Sequence, residues 1–101
     1  MKTALSVLLD AIEQERKGIS YIDFFSFRYQ NVEFSYLGRY YAFVHIDNRS
    51  GSDEYEGSNY DELIDCVIAP TGKTVRQILS ELTELDLEIM TDTYGTPSSA
   101  R

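Results

Sequence analysis

Residues 21–46 read YIDFFSFRYQNVEFSYLGRYYAFVHI, and the period of this stretch decides the fold. Phe25, Phe27 and Tyr29, then Val32, Phe34 and Tyr36, then Tyr41, Phe43 and His45 recur at every second position, with a different set between them. A period of two in aromatic and β-branched residues means strands, because such side chains fit a pleated surface and successive residues point to opposite faces. Gln30-Asn31 and Leu37-Gly38 interrupt the alternation as turns, and the polar stretch DNRSGS at 47–52 has the chemistry of an exposed connection. The stretch is an antiparallel meander of two to four strands. Residues 21–25 fit equally an extension of a preceding helix.

Upstream, Thr3 is a candidate N-cap, Leu5, Leu8, Leu9 and Ile12 recur at helical spacing, and Gly18 offers a stop, which predicts a helix over 4–17. Downstream, a short strand is expected around 54–56. Ser58 stands three residues before Asp61, the spacing of a capping box, and opens a short helix through Leu63, Ile64 and Val67 that ends at Pro70. Thr74 with Gln77 repeats the capping pattern before a last helix striped by Val75, Ile78, Leu79 and Leu82. Leu85, Leu87 and Ile89 alternate like an edge strand, yet Ile78, Leu82, Leu85 and Ile89 also share one helical face, and the reading favours the helix. The tail TYGTPSSAR has no period and is expected to be mobile. The predicted architecture is an α+β domain over residues 1–92, with an N-terminal helix, a small antiparallel β-meander and two C-terminal helices packed on one face of the sheet, followed by a mobile C-terminal tail over 93–101.

A chain of 101 residues has material for one modest core, and 43% hydrophobic residues, with eight Tyr and five Phe, fold despite a net charge of -8. Its apolar runs are a few residues long, far short of the roughly 20 that span a bilayer. The first ten residues lack the pattern of a signal peptide, and a lone Cys66 suits a reducing compartment, so a cytoplasmic protein is expected. The charge is lopsided. Residues 47–66 hold seven carboxylates against Arg49 alone, and 81–92 hold five against no basic residue. Such asymmetry speaks of partners and association rates, and it argues against contact with DNA, RNA or an anionic membrane through these segments, since phosphates call for Lys and Arg.

Candidate chemistries thin out on inspection. PTGKT at 70–74 ends like a phosphate-binding loop, but Val67 stands where its first glycine belongs, and a turn followed by an N-cap accounts for it. A calcium loop begun at Asp47 would place Arg49 and Gly51 at ligand positions, and one begun at Asp53 would place Tyr55 there, which leaves only an irregular set of Asp53, Glu54 and Glu56. One Cys and one His do not make a closed zinc site. Cys66 and His45 could in principle be nucleophile and base, but each sits among apolar neighbours that predict a packing role. No metal, no cofactor and no catalytic residue is expected, and the chain is read as a non-enzyme.

What remains is the acidic run. Glu54 and Glu56 fall on one side of a strand, roughly 6.6 Å apart, and Asp61 and Asp65 are i,i+4 neighbours on the next helix. Such rows can meet a basic groove built for phosphates, with tyrosines adding amphipathic contact area. The expected partner-binding set is Asp53, Glu54, Tyr55, Glu56, Tyr60, Asp61, Glu62 and Asp65, against which stands the plainer reading of a solvated face.

With an aromatic hairpin followed by NYDELIDCVIAPTGKTVRQILSEL at 59–82, this small acidic chain resembles, over roughly residues 32–85, the small proteins of phages and mobile elements in low-GC Gram-positive bacteria, among which anti-CRISPR inhibitors are found. The resemblance carries no site residue with it. It implies a non-enzymatic cytoplasmic protein, acting in the host cell if phage-encoded, that occupies the nucleic-acid-binding surface of an RNA-guided CRISPR nuclease. Immunity proteins against nuclease toxins are similar in size, charge and logic. An accessory or regulatory module, in one form a homodimer joined through its aromatic strands, is the alternative of another class.

Overall fold

The computed structural model describes residues 1–38, 40–57 and 59–93. Thr3 caps the first helix, its Oγ1 accepting the Ser6 N–H at 3.1 Å, and α1 runs Ala4–Arg16 with Ala4, Leu8 and Ile12 buried at a spacing of four. Gly18, at φ 75, ends it. The chain enters β1 (Ser20–Tyr29) at once, so residues 21–25 are strand and do not prolong the helix. β2 (Val32–Tyr36), β3 (Tyr41–Ile46) and β4 (Ser52–Glu56) follow as an antiparallel meander. Gln30, at φ 55, and Gly38, at φ 96, make two of its turns.

The following elements are shorter than expected. Asn59 caps α2 (Tyr60–Ile64), its Oδ1 accepting the Glu62 N–H at 2.9 Å; the anticipated cap, Ser58, lies outside the described residues. α2 stops at Asp65 and does not reach Val67, which pairs instead with Thr74 in a two-residue hairpin of β5 (Val67–Ile68) and β6 (Lys73–Thr74). The expected capping box of Thr74 and Gln77 is present and opens α3 (Val75–Glu81).

Residues 85–90, expected to continue the last helix, do not. Thr83 and Asp86 close a single 3-10 turn (Glu84–Asp86), and β7 (Leu87–Thr93) then pairs antiparallel with β1. The reason is the open edge of β1: a ten-residue strand bordered only by β2 would leave a row of backbone N–H and C=O groups without ladder partners. Leu85, in the 3-10 turn, stays 77% exposed, while Leu87 and Ile89, on the inner side of β7, are buried and half-buried. The expected mobile tail lies outside the described residues except for Thr93, which ends β7.

The large sheet has the order β4-β3-β2-β1-β7. One face carries Phe25, Phe27, Val32, Phe34, Tyr36, Ala42 and Val44, all buried in a single cluster with Leu8, Ile12, Leu63, Ile64, Ile78 and Leu79 of the helices. Stacked rings join neighbouring strands on this face, Phe25 with Tyr36 at 5.0 Å and Phe27 with Phe34 at 5.2 Å between centroids. Among the described residues no helix is long and apolar enough to cross a membrane.

Candidate functional site

The two acidic segments, far apart in sequence, lie at opposite edges of one sheet. β4 from the first segment forms one edge and β7 from the second forms the other. The strand registers align a row across the outer face that reads Glu88, Ser26, Ser35, Phe43, Glu54. Four interstrand steps of about 4.8 Å separate its two terminal carboxylates by roughly 19 Å of sheet. The adjoining positions hold Phe24 opposite Met90 and Tyr41 opposite Glu56. Leu37 and Met90 are 51% and 57% exposed. The outer face thus has acidic margins around a mixed middle, in which Phe24, Tyr41 and Phe43 stand with Ser26 and Ser35, and the next row holds Arg28, Glu33 and His45.

Each expected partner-binding residue can be placed on this frame. Glu54 and Glu56 point outward from β4, as the period predicts, whereas Asp53 and Tyr55 point to the other side and are half-buried. Asp53 pairs with Arg49 at 3.0 Å. Asp61 meets Arg16 of α1 at 3.1 Å, and Asp65 meets Arg76 of α3 at 3.0 Å. Asp47 is bridged by Arg28 of β1. Four of the seven carboxylates that look uncompensated in the sequence therefore have an arginine partner, in three cases from a distant element. Exposed pairs of this kind contribute little to stability, but they shorten the reach of the charges involved. Glu62 lies exposed on α2, and Glu54 and Glu56 carry the outward-facing charge of the edge.

Tyr60 does not stand on the surface. Its side chain is 3% exposed, its ring meets that of Tyr40 edge-on at 4.7 Å, and its hydroxyl donates to Glu15 at 2.8 Å. With that proton committed, the 3.1 Å contact with Tyr36 has Tyr36 as donor, and Tyr36 in turn accepts the Tyr40 N–H at 3.1 Å. The result is a directed chain from Tyr40 through Tyr36 and Tyr60 to Glu15, which also accepts the Ile22 N–H at 2.8 Å. Burial first, then the bonds to Tyr36 and Glu15, raise the Tyr60 pKa far above that of a free phenol. Tyr60 is a latch between α2, the sheet and α1.

On the outer face, the Tyr41 hydroxyl donates to Glu54 at 2.7 Å and its ring packs edge-on against Phe43 at 5.0 Å. The hydrogen bond to Glu54 is the main cause of its raised pKa, followed by burial and the fields of Glu54 and Glu56. Beside it, Tyr21, Asp23, Leu37, Gly38, Tyr41 and Glu56 line a cleft of about 550 Å³. A register irregularity between Ile22 and Phe24 makes Asp23 the extra residue of a β-bulge, and the Leu37-Gly38 turn lies next to it, the Asp23 carbonyl within 3.7 Å of where a Gly38 Cβ would stand.

Cys66 and His45 are not brought together. Cys66 follows the C-cap of α2, off the helix where it was expected, beside Tyr55, and burial pushes its thiol up rather than toward the thiolate. His45 is exposed on the opposite, outer face, so the packing role expected for it does not hold. Residues 70–74 form a hairpin turn and an N-cap, with the Lys73 Nζ held by Glu81 at 2.5 Å and Tyr29 at 2.9 Å. Asp53 faces away from Glu54 and Glu56, and among the described residues no three His, Cys, Asp or Glu side chains gather as a metal site.

Sequence reasoning missed Phe24, Tyr41, Phe43 and Glu88. Alternation separates Tyr41 and Phe43 from Ala42 and Val44 but does not say which set turns inward; the small and branched set does. No protein-family model, no curated protein and no solved structure matches the chain.

Proposed function

We propose that this protein is a non-enzymatic acidic inhibitor that binds the basic nucleic-acid-binding surface of a protein partner, an RNA-guided CRISPR nuclease being the partner class its resemblance singles out, and blocks access to DNA in the cytoplasm. The observation that carries the proposal is the pair of acidic margins on one face of the sheet, Glu88 at one edge and Glu54 with Glu56 at the other, with the aromatic Phe24, Tyr41 and Phe43 on the strands between them. In this reading the three helices share the buried face of the sheet, supported by the single cluster that joins their apolar residues to Phe25, Phe34 and Tyr36, and the outer face meets the partner. Glu54, Glu56 and Glu88 pair with Arg and Lys of a groove shaped for phosphates, while Tyr41 and Phe43 fill the space between. Asp53, Asp61 and Asp65 act less directly, because they already hold arginines. A nuclease toxin as partner would use the same surface.

The test is association of the protein with a guide-loaded RNA-guided nuclease and inhibition of its DNA cleavage. Relative to the parent, the triple reversal of Glu54, Glu56 and Glu88 to Lys is expected to lower the on-rate by about tenfold or more and to flatten its dependence on salt. Inhibition that survives this reversal at parental strength sinks the proposal. A second reading, a homodimeric accessory module, is favoured by the exposure of Leu37 and Met90 on the same face as Phe24 and Phe43. A concentration-dependent dimer in light scattering that Phe43→Asp dissolves would select it.

A further inference from the structure

We draw no further inference here: the strongest candidate, the apolar end of the outer sheet face around Phe24, Leu37, Phe43 and Met90, belongs to the site already described, and nothing further in the structure shows what covers it.

Discussion

Replacing Tyr60 with Phe removes one oxygen from the directed chain that runs from the Tyr40 amide to Glu15, and the structure allows the cost to be worked through. The ring keeps its place, since Phe has the same shape, so the burial and the edge-on contact with Tyr40 at 4.7 Å survive. Two hydrogen bonds do not. The bond from Tyr60 to Glu15, at 2.8 Å, has a carboxylate acceptor, and bonds to charged groups are worth about 1.5–3 kcal/mol. The Tyr36 hydroxyl, in a side chain only 1% exposed, loses its acceptor at 3.1 Å. Glu15 is half-buried, keeps the Ile22 N–H and can recruit water, which returns part of the loss. A net destabilisation of about 2 kcal/mol follows, and for a chain of this length that lowers Tm by roughly 8–16 °C. The assay is thermal and urea unfolding of Tyr60→Phe beside the parent, with on-rates to the proposed nuclease partner measured at a temperature where both are folded. The expected result is a large loss of stability with an unchanged on-rate. A variant that melts with the parent but associates slowly would refute the reasoning, because the hydroxyl would then act outward on a partner and not inward on Glu15.

The same residue makes the fold sensitive to alkali. The native state holds the Tyr60 proton more tightly than the unfolded chain does, so its contribution is intact below the free phenol value of about 10 and is lost as pH rises above it, by about 1.4 kcal/mol per pH unit; urea midpoints from pH 8 to 11 should fall for the parent and fall less for Tyr60→Phe. Leu8, fully buried on α1, should cost about 3 kcal/mol as Leu8→Ala, a large part of the 5–15 kcal/mol typical of a domain, and a loss below about 1 kcal/mol in urea unfolding would contradict the placement of α1 against the core. Gln30 holds φ 55 in the β1–β2 turn, so Gln30→Gly should stabilise by about 0.5–1 kcal/mol in the same assay, and destabilisation would show that the turn is not strained there.

Much of this protein was legible before any coordinates. Thr3, Thr74 and Gln77 marked helix starts because capping is satisfied within three or four residues, and the two-residue period of 25–36 forced strands because one face of a pleat must be buried. Local chemistry sufficed wherever the deciding partner was close in the chain. It failed where the partner was remote. The helical and strand periods of residues 78–89 are both present, and only the unfilled edge of β1, some sixty residues earlier, chose the strand. Tyr60 read as an exposed aromatic among acids, and only its approach to Glu15 and Tyr36 turned it inward. Charge behaved in the same way. The sequence by itself determined that carboxylates concentrate in two segments, since charge is a property of composition. Tertiary structure alone decided that Arg16, Arg28 and Arg76 neutralise much of the first segment, and that the two segments border one sheet. Electrostatic pairing and strand order depend on distance through space, and the chain order of residues does not encode that distance until the core has closed.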